Sequence, residues 1–148
     1  NDPIKGGEFA QKLVGELRQK HPSLFLAMSG IETSEHSWVQ PLGWMTEEQK
    51  RRQLSTASML IIPSKFEGQP MVALEALAMG TPVLLSDRIH SLPKEIPRAK
   101  FEDIDDWKKN LLHLLSSEST LFDETLLLDY SLPILQEKWK TCYETLLT

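Results

Sequence analysis

Three helices are predicted in the first eighty residues, two of them from apolar positions that recur at helical spacing. A helix is predicted over residues 7–20, where the apolar side chains fall on one face. The sequence Thr46-Glu47-Glu48-Gln49 has the form of a capping box, which predicts a helix from there to about Thr56. A third, compact helix is predicted over residues 70–79, with Pro70 in its first turn.

Short apolar runs between these helices are typical of strands, and they span residues 24–29, 38–42, 59–62 and 82–86. This alternation favours a parallel sheet with helices on both faces. A short strand is predicted near residues 99–101. Two Leu-rich helices follow, one from Asp105 and one over residues 132–147, and both are interpreted as part of the layer that covers the sheet. We therefore expect one α/β, Rossmann-like domain over residues 1–148.

Composition and charge exclude several classes of protein. The net charge of −5 comes from residues 101–148, which contain four basic and ten acidic side chains, so no basic face is available for nucleic acid. Cys142 is the single cysteine, which excludes a disulfide framework and fits a reducing compartment. We interpret it as a small core residue. The apolar runs are far shorter than the ~20 residues of a membrane-spanning helix.

Unusual chemistry is concentrated in the crossing between the strand at 59–62 and the helix at 70–79. Glu67 comes just before the helix, and Glu75 lies within an otherwise apolar helix. The start of a helix presents unpaired amides that favour a phosphate group. Two carboxylates near such a start suit a diphosphate with hydroxyl-bearing groups at both ends. From spacing alone, an equally supported interpretation makes Glu67 a stabilising charge near the helix start and Glu75 a solvent-facing side chain.

Residues 63–87 resemble the donor-site signature of retaining glycosyltransferases of the GT-B fold, family 4, group 1. The two glutamates are separated by seven residues, as in that family, and Lys5-Gly6 and Leu42-Gly43 follow its order. The matching pieces of the signature are Pro63-Ser64, Glu67-Gly68, Leu74-Glu75-Ala76, Gly80-Thr81-Pro82-Val83 and Ser86-Asp87. In one departure, Gly68-Gln69-Pro70 stands where many members have Gly-Phe-Gly, and Pro70 has no N–H to offer a phosphate.

The resemblance implies that the chain is the C-terminal, donor-binding part of an enzyme that transfers a sugar from a nucleotide diphosphate to a glycan or glycolipid acceptor, with retention. It gives catalytic roles to Glu67, which would hold hydroxyls of the transferred sugar, and to Lys5, which would neutralise the departing diphosphate. Glu75 would bind the ribose. The substrate-binding residues implied in all are Gly68, Glu75, Met71 and Val72, together with Met45 and Lys50 near the base.

The same resemblance sets expectations for cofactors and partners. No metal ion or other cofactor is expected, and the nucleotide sugar is the donor substrate. The acceptor would be bound by an N-terminal domain of the same protein, which would also make any peripheral membrane contact. The first strand of the sheet would precede Asn1, so we expect an incomplete sheet and an inactive isolated chain. We expect a cytoplasmic protein, with attachment to the cytoplasmic face of a membrane as an alternative.

Two other functions are compatible with the sequence. A nucleotide-sugar epimerase of the same fold also binds its nucleotide at a helix start. A non-catalytic module that keeps only the nucleotide site, or only the fold, would serve in regulation or assembly.

Overall fold

The computed structural model describes residues 3–116 and 125–146. The predicted alternation of helix and strand is confirmed, with element ends shifted by a few residues. In chain order the elements are a 3-10 turn Pro3–Lys5, α1 Gly7–Leu17, β1 Leu26–Ser29, β2 Val39–Gly43, α2 Glu47–Thr56, β3 Leu60–Ile62, α3 Met71–Ala78, β4 Val83–Ser86, β5 Arg98–Ala99, α4 Ile104–Ser116, α5 Thr125–Leu128 and α6 Leu132–Leu146.

Every strand pairing is parallel, as predicted, but the described strands form two sheets rather than one. β1 pairs with β2, and β3, β4 and β5 pair in that order. Within the described residues, β1 and β3 are therefore both edge strands. The side chains of Leu24 and Ile61 pack against the core on both sides of this division, so the two sheets share one interior.

Helices cover both faces of the larger sheet, which confirms the predicted fold class. All four residues of β4 are buried, and successive side chains of a strand point to opposite faces. Val83 and Leu85 pack with α3 on one face, whereas Leu84 packs with α1 and α4 on the other. Trp107 of α4 is completely buried, and its indole N–H donates to the Lys100 carbonyl over 2.9 Å.

The predicted capping box is present at the start of α2. The Thr46 hydroxyl accepts from the Gln49 amide over 3.2 Å, and the Gln49 side chain accepts from the Thr46 amide over 2.8 Å. One local detail differs at the next helix. Pro70 is the N-cap of α3 rather than a residue of its first turn, and its carbonyl accepts from the Ala73 amide over 2.9 Å.

The prediction that both C-terminal helices cover the sheet is wrong for α6. Its described side chains are exposed apart from the half-buried Ile134, and Trp139 is 60% exposed. Cys142 is exposed as well, so its interpretation as a core residue is also wrong. An amphipathic pattern marks the face that needs a neighbour, but it does not say that the neighbour is present. The predicted end of this helix at residue 147 lies outside the described residues.

No helix in the described parts of the chain is long and apolar enough to cross a bilayer.

Candidate functional site

The candidate site lies where β3 ends and the loop of residues 63–70 leads into α3. Carboxyl ends of parallel strands meet at one edge of a sheet, and ligands of open α/β folds bind at that edge. The 3-10 turn is held against this loop, because the Lys65 amide donates to the Ile4 carbonyl over 2.8 Å. Gly6 passes so close that a Cβ atom there would lie 2.5 Å from the Pro63 carbonyl oxygen. Lys5 is thereby fixed beside a segment about sixty residues away in sequence.

Lys5 and Glu67, the two residues given catalytic roles, form an ion pair. The Lys5 Nζ atom lies 2.9 Å from both carboxylate oxygens of Glu67. The Ser64 hydroxyl donates to Glu67 Oε1 over 2.8 Å, and Ser64 itself is buried. The side chain of Lys5 is 57% exposed, whereas that of Glu67 is only 15% exposed. The carboxylate is therefore held by a buried hydroxyl on one side and by a solvent-exposed cation on the other.

Glu75 and Lys50 form a second ion pair, which joins α3 to α2. Lys50 Nζ donates to Glu75 Oε1 over 3.0 Å. The Oε2 atom of Glu75 is buried and lies 2.9 Å from the same nitrogen, at an angle that makes no second hydrogen bond. The Glu75 carboxylate is thus engaged with a cation, so the interpretation of Glu75 as merely a solvent-facing side chain does not hold.

Glu47 extends this pair into a cluster of three charges. Glu47 lies one helical turn before Lys50 on α2, and its carboxylate is 2.9 Å from Lys50 Nζ. Hydrogen bonds to Glu47 and then to Glu75 raise the pKa of Lys50 above its ordinary value. The Lys50 side chain therefore remains a cation at neutral pH, between two carboxylates.

The remaining predicted site residues lie in the loop before α3, in the first turn of α3 and just before α2. Met71 and Val72 are the first residues of α3, and the first amides of a helix have no acceptor within the helix. A Cβ atom at Gly68 would meet nothing within 4 Å, so this glycine, unlike Gly6, is not required for space. Met45 precedes the N-cap of α2. In the described part of the chain, no hydrogen bond or ion pair joins it to either pair.

Sequence reasoning missed two members of this arrangement. Ser64 appeared only as part of a motif, and Glu47 only as part of a capping box. The available signal for Ser64 was its position two residues after the apolar run of β3, where a polar side chain that becomes buried needs a partner. The structure also shows exposed apolar side chains on the segments of this edge: Ile4, Trp44, Phe66 and Met71.

An Asp-x-Asp sequence, Asp103-Ile104-Asp105, occurs at the start of α4. The Asp103 carboxylate accepts from the Asp106 amide over 3.1 Å, and Asp105 lies 3.6 Å from Lys108. These contacts are those of a helix start. Among the described residues, no group of three or more His, Cys, Asp or Glu side chains could hold a metal ion.

A concave region of about 620 Å³ lies elsewhere, between Gln11 of α1 and the loop of residues 30–36. None of the predicted site residues lines it. The paired acidic and basic groups lie at the edge around the start of α3, which makes that edge the candidate site.

The two-sided, parallel arrangement of strands and helices defines a Rossmann-like α/β domain. Residues 4–117 match the family described as glycosyl transferases group 1, and the chain belongs to this family. The resemblance stated from sequence is confirmed at this level.

Two similar proteins were also found, one by sequence and one by structure. O-antigen chain mannosyltransferase B of Escherichia coli is 26% identical over 123 residues, which are 74% of this chain and 32% of that protein. The crystal structure of TarM matches with a TM-score of 0.77 and 19% identity, over 95% of this chain and 32% of that one. The second likeness concerns the fold alone. This chain spans about a third of the length of either relative.

Proposed function

We propose that this chain is the donor-binding domain of a glycosyltransferase that transfers a sugar from a nucleotide diphosphate to a glycan or glycolipid acceptor, with retention. The observation that supports this most is the pair of Lys–Glu contacts, one in the loop before α3 and one within α3, with 2.9 Å between the charged atoms of each. Cations and helix amides attract phosphate, and carboxylates accept hydrogen bonds from sugar hydroxyls. A nucleotide sugar contains both kinds of group.

Each residue has a defined part in the proposed mechanism. Lys5 neutralises charge on the diphosphate while the bond to the sugar breaks, which is where charge develops. The amides of Met71 and Val72 face the same phosphates, and Pro70 contributes no N–H. Glu67 accepts hydrogen bonds from the transferred sugar, and Glu75 accepts them from the ribose.

The other proposed contacts lie at the two ends of the donor. Gly68 leaves open space beside the sugar, since nothing lies within 4 Å of its Cβ position. Met45 and Lys50 lie toward the base. No metal ion or other cofactor takes part in the proposed mechanism.

We assign acceptor binding, and any contact with the cytoplasmic face of a membrane, to an N-terminal domain of a longer protein. This chain alone is therefore expected to bind the donor but not to transfer the sugar. Retention is tested in the full two-domain protein, by the anomeric configuration of the product in NMR spectra. A product of inverted configuration would remove retention from the proposal.

Donor binding is tested by isothermal titration calorimetry. The name of the E. coli relative makes GDP-mannose the first probe, followed by UDP- and ADP-sugars. Wild type is expected to bind one of these donors, and Glu75→Gln is expected to bind it about tenfold or more weakly, since a hydrogen bond to a charged group is lost.

Glu16→Gln is the matched control. Glu16 also pairs with a lysine and has a similarly exposed side chain, 33% against 31% for Glu75. It is expected to leave donor binding unchanged. The proposal fails if wild type binds none of the donors, or if both variants reduce binding equally.

A further inference from the structure

The Glu67 carboxylate connects a buried hydroxyl to an exposed cation. It accepts a hydrogen bond from the buried Ser64 and another from the exposed Lys5. We propose that this unit makes the site prefer a nucleotide sugar to the corresponding nucleoside diphosphate, because the diphosphate draws Lys5 away from Glu67. The inference rests on the proposed function and adds a specificity-determining role to residues of the same site.

Lys5 cannot bind Glu67 and a diphosphate fully at the same time. Its single ammonium group already lies 2.9 Å from both oxygens of Glu67. A diphosphate bound at the start of α3 competes with Glu67 for this ammonium group, because the diphosphate is negatively charged and has several acceptor oxygens. The lysine stem is flexible and the side chain is 57% exposed, so the ammonium group can move without disturbing the core.

The Glu67 carboxylate loses a donor when Lys5 changes partner. Glu67 is mostly buried, and when Lys5 turns to the diphosphate, the one hydrogen bond that the described residues still donate to the Glu67 carboxylate is that from Ser64. A buried carboxylate that lacks donors is unfavourable. Hydroxyls of a transferred sugar replace the lost donor, whereas a nucleoside diphosphate has no group there to do so. The donor is therefore favoured over the product that remains after transfer.

Ser64 has a positioning role in this exchange. Its hydroxyl hydrogen serves the shorter contact, 2.8 Å to Glu67 Oε1, rather than the 3.4 Å contact to the Lys5 carbonyl. The bond from the Lys65 amide to the Ile4 carbonyl, 2.8 Å long, holds the 3-10 turn in place. Ser64 thus keeps Glu67 oriented toward the sugar while the lysine side chain changes partner.

The test compares the dissociation constants of a nucleotide sugar, its nucleoside diphosphate and inorganic pyrophosphate, measured by calorimetry on this chain. GDP-mannose and GDP are used first, then the UDP and ADP pairs. Wild type is expected to prefer the sugar form by on the order of tenfold. Glu67→Gln is expected to bind GDP and pyrophosphate several-fold more tightly and the nucleotide sugar more weakly, which removes the preference.

Two further variants and one control complete the test. Ser64→Ala is expected to weaken nucleotide-sugar binding more than diphosphate binding, whereas a merely structural role would weaken both equally. Lys5→Met changes an exposed side chain and is expected to weaken pyrophosphate binding about tenfold or more. Glu16→Gln is expected to keep the wild-type preference.

The outcomes separate this inference from the proposed function. If wild type binds a donor but Glu67→Gln weakens diphosphate, pyrophosphate and donor alike, the exchange of Lys5 is overturned and the proposed function stands. Unchanged pyrophosphate binding in Lys5→Met overturns the exchange as well. A wild-type chain that binds no nucleotide and no pyrophosphate overturns both.

Discussion

At the scale of single residues, Gly6 links the start of the chain to the candidate site. Its φ of +72° is a left-handed conformation that glycine adopts readily, and its Cβ position is blocked by the Pro63 carbonyl. Gly30 has nearly the same φ, +74°, but open space around its Cβ position. The two glycines therefore separate the effect of conformation from the effect of crowding.

Alanine at each position gives a direct comparison. Gly30→Ala is expected to lower the free energy of unfolding by about 1–2 kcal/mol, the usual cost of a left-handed conformation. Gly6→Ala is expected to cost more, about 2–4 kcal/mol, because the backbone must also move away from Pro63. Urea denaturation followed by circular dichroism measures both changes. Equal losses of stability would mean that the close approach of Gly6 to Pro63 does not affect the free energy of unfolding.

How far the site was predictable depends on the residue. Lys5 and Glu67 were both assigned to one site by resemblance, yet nothing in a separation of 62 positions predicts direct contact between their charges. Ser64 was not recognised, because the role of a small hydroxyl depends on what lies beside it after folding. The sequence allows two interpretations of Glu75, and its contact with Lys50 argues against the one in which it merely faces solvent.

At the scale of elements, Arg98 of β5 holds the loop that follows β4. Its guanidinium group donates to four backbone carbonyls at distances of 2.8 to 3.1 Å, those of Ile89, Leu92, Pro93 and Ile96. The same loop contributes three apolar side chains to the core beside α3: Ile89, Leu92 and Ile96. One side chain therefore keeps an irregular segment packed at the edge of the sheet.

Arg98→Met is expected to lower the free energy of unfolding by about 2–4 kcal/mol, because partly buried carbonyls lose their donors. Arg98→Lys is expected to recover only part of this loss, since an ammonium group cannot reach the carbonyls as a planar fork does. Arg88→Met, in the same loop but 63% exposed, serves as the control in chemical denaturation. A loss no larger than that of Arg88→Met would contradict the assigned role.

Local sequence patterns predicted where helices and strands lie better than they predicted which of these elements pair or pack together. The buried run of β4 and the capping box of α2 are set by neighbouring residues, and both were found where predicted. The division into two sheets depends on which distant strands pair, which apolar periodicity does not encode. The exposure of α6 was unpredictable for the same reason, because its pattern does not identify the surface that covers it.

At the scale of the whole molecule, Glu16 and Lys108 join α1 to α4 on the side of the sheet opposite α3. The hydrogen bond from Lys108 lowers the pKa of Glu16 below its ordinary value. The hydrogen bond to Glu16 raises the pKa of Lys108. The two shifts together define a range of pH in which the pair stabilises the fold.

The sign of each shift fixes that range. A lowered carboxyl pKa gives stability that is present above the unfolded pKa, about 4.3, and is lost as pH falls through the folded pKa. A raised lysine pKa gives stability that is present below about 10.4 and is lost as pH rises through the folded pKa. The melting temperature of wild type should therefore exceed that of Glu16→Gln most at neutral pH.

Thermal unfolding of both proteins between about pH 3 and pH 11 measures this difference, which is expected to be small at neutral pH and smaller at both extremes. Glu48→Gln, on the exposed face of α2, gives the effect of removing one charge of the same kind. A difference that does not change with pH would show that packing, and not ionisation, is responsible.

The contact between the 3-10 turn and the end of β3 also has a consequence for the order of folding. Lys5 and Glu67 are separated by α1, β1, β2, α2 and β3, so their meeting closes a long loop whose entropy cost must be met by contacts formed elsewhere. Contacts of such separation form slowly compared with local ones. We therefore expect this contact to form later than the local helices between the two residues, which would make the site one of the later parts of the molecule to assemble.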